Sequence, residues 1–526
     1  MATLSQADHS VSPPSITIAR DYNAAHDLVE RNLVAGRGDK TAYIDDQGRY
    51  TYAELAQRVN RAANALTGLG LEMESRVMIA HLDTIDFPSA FLGAIKAGIV
   101  PVAANTLLTA ADYKYMLEDS RVRALIVSEA LLPVFAPLFG ELSALKHVIV
   151  SGKDAQGHLH LQQLMAGAST NFAPAPTKAD DACFWLYSSG STGTPKGAVH
   201  IHSSLIQTAE LYARPILGIR EHDVVFSAAK LFFAYGLGNA LTFPLAVGAT
   251  TILMAERPTP AAVFKRLREL RPTIFYGVPT LYGALLAHAD LPARQELALR
   301  VCTSAGEALP ADLGRRWTER FGVEILDGIG STEMLHIFIS NRPGEVRYGS
   351  TGKPVPGYEI RLVDEQGREV GPGEIGELQI NGPTSATHYW GNRAKTLATF
   401  VGPWTRAGDK YTRDANGYYT YGGRSDDMLK VSGMYVSPFE VEAALMTHPD
   451  VLEAAVVGVA DEQDLIKPKA FVVTRPGIAA SPAVAASLQQ HVKDRLAPYK
   501  YPRWVEFIAE LPKTATGKIQ RFKLRQ

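Results

Sequence analysis

At 526 residues the chain exceeds one ordinary core, so two or more folding units are expected. Its 53 basic and 54 acidic residues leave a formal net charge of -1, which excludes a global attraction to nucleic acid or to an anionic membrane, so any anion site has to be local. A hydrophobic share of 46% and two cysteines, Cys183 and Cys302, each inside an apolar strand-like run, fit a globular enzyme of the reducing cytoplasm and exclude a disulfide framework.

The N-terminal run MATLSQADHSVSPPS lacks a basic segment followed by an apolar one, so no secretory signal is expected. Ala182 to Tyr187 reads as a strand, and it runs into YSSGSTGTPKGAVH. In that stretch Gly190, Gly193 and Gly197 permit close backbone approach. The hydroxyls of Ser188, Ser189, Ser191, Thr192 and Thr194, the backbone N–H groups and the Lys196 ammonium can all face an anion. A flexible linker would share this composition, but ordered segments clamp the loop on both sides. A P-loop needs Gly-Lys-Ser/Thr, whereas Lys196 follows Pro195 and precedes Gly197, so the loop holds phosphate in another way or not at all.

Val224 to Met254 is the most membrane-like stretch. Lys230, Pro244 and several glycines interrupt it, and it reads as buried strands and turns rather than a span. Thr259-Pro260 then marks a helix start, with Val263, Phe264, Leu267 and Leu270 at helical spacing. Strands are expected at 273–276, 299–303 and 323–326, and helices at 280–288 and 311–321. This alternation is the pattern of a parallel sheet covered by helices, in which turns after successive strands converge on one ligand. Beyond about residue 340, YEIRLVDEQGREV and GELQING read as a small antiparallel β subdomain. After the polar stretch GGRSDD a compact α+β unit follows, with helices at 438–447 and 482–495 and strands at 451–459, 469–474 and 504–508.

Four motifs stand in order along the chain: YSSGSTGTPKG, GIGSTEM, TRAGD followed by YGGRSDDMLKVSG, and PKTATGKIQR. Together they resemble the acyl-adenylate-forming superfamily of acyl-CoA synthetases, carrier-loading adenylation domains and luciferases. The resemblance implies an α/β fold in which 1–425 form a large N-terminal domain and 426–526 a smaller mobile C-terminal domain. It further implies attack of a carboxylate on the α-phosphate of ATP, then displacement of AMP by a thiol, with Mg²⁺ and CoA taking part. By the same resemblance Glu333 holds the metal, Thr332 contacts the α-phosphate, and Asp327 with Gly306, Glu307 and Ala308 surrounds adenine. Asp409 and Arg424 reach the ribose and phosphate region, and Lys518 bridges carboxylate and α-phosphate. Asp426 becomes the hinge, and Gly433 lines the passage for CoA.

KLFFAYGLGN falls where this superfamily builds its acyl pocket. Amino-acid-activating members usually place an aspartate after the first Phe; here Phe233 follows Phe232, so a zwitterionic substrate is disfavoured. Phe232, Phe233 and Tyr235 either line a flat apolar slot for an aromatic ring or pack the core. Ile329 replaces the tyrosine common before the Gly-x-Thr-Glu element. GIGSTEMLHIFISN together with KLFFAYGLGN resembles benzoate–CoA ligases, which places Ala234, Tyr235, Gly330, His336 and Ile337 around the aryl acid. The alternatives are a ligase for another substituted benzoate or aryl acid, an enzyme loading an aryl group onto a carrier protein in trans, and an idle nucleotide-binding protein. Ring substituents, the choice between homodimer and monomer, and pathway context stay open at the level of sequence.

Overall fold

The apolar runs of the sequence become the inner strands of two large sheets. A computed structural model describes residues 3–188, 194–425, 427–431, 434–462, 465–513 and 519–525. Contacts divide the chain into two units, Met1–Ile360 with Ile380–Arg406 and Arg361–Gln379 with Ala407–Gln526.

In the first unit an eight-stranded sheet runs in the order His388–Tyr389, Lys196–Ile201, Ala182–Ser188, Val100–Ala103, Arg76–Ala80, Ala124–Ser128, His147–Ser151, Leu159–His160. Its first two pairings are antiparallel and the rest parallel. A nine-stranded sheet carries the parallel series Ile325–Gly330, Val301–Ser304, Ile274–Gly277, Val224–Ser227, Thr250–Ile252, Thr41–Asp45. Ile337–Ser340 returns antiparallel along its Ile325–Gly330 edge. Helices Pro260–Glu269 and Ala311–Phe321 cover this sheet through Val263, Phe264, Leu267, Trp317 and Phe321, all buried with Phe275 and Ile325. The first starts as its sequence demands, with the Thr259 side chain accepting from the Ala262 N–H and proline at its first position.

The stretch from 224 to 254 departs from the expected strands and turns. Between its two strands lie helix Ala234–Leu237, a π-helical turn Gly238–Thr242 and helix Phe243–Val247. The segment is buried nearly all round, so it carries no amphipathic period to read. Its glycines are fixed by space rather than by flexibility: a Cβ on Gly236 would stand 2.0 Å from the Lys230 carbonyl oxygen. Cys183 and Cys302 are buried free thiols. Among the described residues no helix is long and apolar enough to cross a membrane.

In the second unit Val451–Ala460 pairs antiparallel with Ile466–Thr474, which pairs in parallel with Trp504–Phe507. Helices Pro438–Met446 and Pro482–Lys493 bury Val441, Leu445, Leu488 and Val492 against Val456 and Val472.

Candidate active site

The phosphate-type loop is the connection of a hairpin in which Ser188 lies opposite Lys196. Ser189, Gly190, Ser191, Thr192 and Gly193 lie outside the described residues; Thr194 is exposed, and Ser188 and Lys196 are half-buried. Lys196 Nζ stands 5.1 Å over the centre of the Tyr389 ring, within cation–π range. The Tyr389 hydroxyl donates to Glu333 Oε1 at 2.6 Å, a charge-assisted length. One hydrogen bond thus separates the loop lysine's aromatic seat from the glutamate of the second motif.

The main chain around Glu333 is held at three points. His200, on the strand leaving the loop, donates from Nε2 to the Thr332 carbonyl at 2.8 Å. The Ala386 N–H donates to the Glu333 carbonyl at 2.7 Å, and Thr384 Oγ1 to the Met334 carbonyl at 2.8 Å. Since its partner is a carbonyl, Nε2 of His200 carries the proton. Burial pushes this imidazole down to about 4, against the opposing pull of the Thr332 carbonyl and Glu333, and the ring stacks on Phe184 with centroids 5.2 Å apart.

Two residues later the chain reverses. Leu335 has φ 68°, a left-handed conformation that costs a branched residue on the order of 1–2 kcal/mol. Glu333 before it is half-buried, whereas His336 after it is only 3% exposed. His336 Nε2 lies 3.2 Å from Asn239 Oδ1 and 3.3 Å from the Tyr235 carbonyl, two acceptors that place the proton on Nε2. Burial pushes His336 down to about 3, so the ring is neutral at any working pH. Phe243, Tyr212 and Tyr235 surround it at centroid distances of 4.4, 5.4 and 5.6 Å. Tyr235 and Ala234 are half-buried and Ile337 is buried. The Tyr235 hydroxyl shares a 2.5 Å hydrogen bond with Thr303 Oγ1.

Two glycines are required by this arrangement. A Cβ on Gly330 would lie 2.6 Å from the His336 carbonyl oxygen, and one on Gly238 would lie 2.3 Å from His336 Cδ2. Tyr235 and Gly330 thus lie against His336, with Ile337 the register partner of Gly330 and Ala234 the chain neighbour of Tyr235. Phe232 is buried, with its ring 4.5 Å from that of Phe233.

Asp327 and Ser304 are register partners on adjacent parallel strands. Asp327 Oδ1 and Ser304 Oγ are buried with no hydrogen-bond partner among the described residues, and burial pushes the Asp327 carboxyl well above the usual carboxylate range. Gly306, at φ 89°, and half-buried Glu307 and Ala308 follow the Ser304 strand, with Thr280 Oγ1 donating to Glu307 Oε2 at 2.9 Å. A polar edge with unmet hydrogen-bonding capacity beside an open glycine turn suits a heteroaromatic base.

In the second unit Asp409 and Arg424 are direct partners across antiparallel strands, with Nη1 3.2 Å from Oδ1. Asp426, Gly433 and Lys518 lie outside the described residues.

Compared with known proteins, residues 30–390 match the family model described as AMP-binding enzyme, and 440–518 match the AMP-binding enzyme C-terminal domain. The chain belongs to the AMP-binding enzyme family. It is 67% identical to a benzoate–CoA ligase of Thauera aromatica over 100% of both chains. It is 52% identical to a 4-hydroxybenzoate–CoA/benzoate–CoA ligase of Rhodopseudomonas palustris, covering 96% of this chain and 94% of the relative. A crystal structure of a benzoate CoA ligase from Burkholderia xenovorans superposes with a TM-score of 0.90 at 57% identity, covering 96% of this chain and 100% of the other. In this AMP-binding enzyme, sequence reasoning missed His200, Thr384, Tyr389, Asn239 and Tyr212. His200 closes the first motif and Asn239 the acyl-pocket segment, so both leave a local trace; Thr384, Tyr389 and Tyr212 are brought in by long-range packing.

Proposed function

We propose that the protein is an ATP- and Mg²⁺-dependent ligase that converts benzoate and CoA into benzoyl-CoA, AMP and pyrophosphate through benzoyl adenylate, and that it works in the cytoplasm, where its two free thiols stay reduced. The observation that carries the reading is the aromatic enclosure of a neutral His336 four positions after Thr332, in a chain that matches benzoate–CoA ligases over its full length. A neutral imidazole offers a flat wall and no charge, so the slot selects a ring by shape, and the carboxylate has to be met at its mouth.

The carboxylate oxygen attacks the α-phosphorus, the bond to the bridging oxygen breaks and pyrophosphate leaves; the CoA sulfur then adds to the acyl carbon and AMP departs. Both steps gather negative charge, which fixed donors stabilise best. By motif position, Thr332 and Lys518 meet the α-phosphate and Lys196 the outer phosphates. Asp327, Gly306, Glu307 and Ala308 hold adenine, and Asp409 with Arg424 the ribose region. Asp426 serves as the hinge and Gly433 lines the CoA path, with 426–526 moving between half-reactions. Among the described residues no cluster of three or more His, Cys, Asp or Glu forms a metal cage. The single half-buried carboxylate of Glu333 suits a hard cation that brings phosphate and water ligands with it. Bound Mg²⁺ supplies charge neutralisation at the phosphates.

A product assay with ATP, CoA and a panel of benzoate, hydroxybenzoates, halobenzoates, short aliphatic and long-chain acids tests the reading. Benzoyl-CoA formation with the highest kcat/KM for benzoate or a small ring-substituted relative is expected; turnover of fatty acids without benzoyl-CoA overturns it. Lys518→Ala should abolish adenylate formation yet leave thioester formation from supplied benzoyl-AMP largely intact, and equal loss in both steps would count against the domain alternation.

A further inference from the structure

Glu333 is held more elaborately than a single metal-binding carboxylate requires. The carbonyls of Thr332, Glu333 and Met334 take hydrogen bonds from His200, the Ala386 N–H and Thr384, respectively. Its side chain takes a 2.6 Å hydrogen bond from Tyr389, and the ring of that same tyrosine lies 5.1 Å beneath the Lys196 ammonium. Tyr389 is itself fixed, since it is 3% exposed and its strand pairs with the loop strand, Ala198 opposite Tyr389. A donor on Oε1 orients the carboxylate and leaves Oε2 to a ligand, which is how outer groups commonly aim a metal-binding carboxylate.

We propose that Tyr389 is a positioning residue that sets Glu333 for the divalent cation accompanying ATP, and that its ring, by seating Lys196, ties the phosphate loop to that metal position. The inference rests on the metal assignment made for Glu333 above, and it is independent of which acid is activated. Two chemically distinct parts of one side chain do the work: the hydroxyl acts on the metal, the ring on the phosphate lysine.

The test uses the full-length protein and Mn²⁺ as the probe, with free Mn²⁺ followed by electron paramagnetic resonance in the presence of a non-hydrolysable ATP analogue. Tyr389→Phe keeps the ring and removes the hydroxyl. It should weaken Mn²⁺ binding about 10-fold, the usual scale for loss of an outer partner of a metal ligand. The half-saturating Mg²⁺ for pyrophosphate release should rise by a similar factor, with most of kcat recovered at high Mg²⁺. Tyr389→Leu removes both parts and should also weaken binding of the analogue measured without metal, which Tyr389→Phe leaves unchanged. Unaltered Mn²⁺ binding in Tyr389→Phe overturns the proposal, as does a loss of activity that no Mg²⁺ concentration restores. If benzoate proves not to be the substrate while Mn²⁺ binding shifts as stated, the reading of the acid falls and the positioning role stands. If benzoyl-CoA forms and Mn²⁺ binding is unchanged, the reverse holds.

Discussion

Glu333 and His336 sit three positions apart on one turn, and they work under opposite physical regimes. Glu333 is half-buried at a rim where its side chain accepts from a tyrosine hydroxyl and lies one side chain from the loop lysine. His336 is sealed among aromatic rings, and its environment removes its charge. On the proposed assignment, polyphosphate and its cation would meet Glu333 at this rim, where desolvation is partial and pairing is strong. The slot gives charge up because an ion buried among Tyr212, Tyr235 and Phe243 would carry a desolvation cost with nothing to offset it. On the roles proposed for Glu333 and His336, activation chemistry and acid recognition would be separated within one segment of chain.

The strongest way to break this comparison is to remove the rim's charge. Glu333→Gln should lower the rate of adenylate formation about 10²–10³-fold for every acid alike, the scale seen when one preorganised electrostatic group is lost. Thioester formation from supplied benzoyl-AMP should hardly change. A loss that differs between benzoate and its substituted relatives would show that the rim also reads the ring.

A smaller effect is expected from crowding the slot. In Gly238→Ala the new methyl meets His336 Cδ2 at 2.3 Å, and His336 is hemmed in by Tyr212 and Phe243. Overpacking of this kind costs about 1–3 kcal/mol of stability, and the displaced His336 should lower kcat/KM for benzoate with the KM for ATP unmoved. An equal rise in both KM values would mean that slot and rim are not separate.

The gentlest probe is pH. His336 ionises near 6.5 in the unfolded chain and near 3 when folded, so below pH 6.5 the unfolded state binds the extra proton and stability falls as pH falls. The slope is about 1.4 kcal/mol per pH unit for this one group. Unfolding free energies of His336→Gln measured at pH 7, 6 and 5 should decline less steeply than those of the parent, by about half that slope between pH 7 and 6 and by nearly all of it between 6 and 5; parallel declines would show that the buried imidazole is not held neutral.

The parallel-sheet half of the fold was legible because its strands are continuous apolar runs and its surface helices are amphipathic. Helix 311–321 was placed at the bounds the structure shows. The segment after Lys230 was not legible, because a helix buried on every side has no polar face to set a period and its glycines look like breaks. The family was legible because its motifs are each local in sequence. The scaffolding of the site was not: His200 reaches Thr332 across 132 residues and Tyr389 reaches Glu333 across 56, and local patterning carries no trace of either pairing.

Leu335 gives this separation a further meaning. By turning left-handed between Glu333 and His336, it sends the two side chains into different surroundings, one half-buried and one buried. On the proposed assignment, substitutions on the far side would alter the acid pocket and leave the nucleotide contacts in place. On that reading, an enzyme built this way would exchange its diet of acids while inheriting its ATP chemistry.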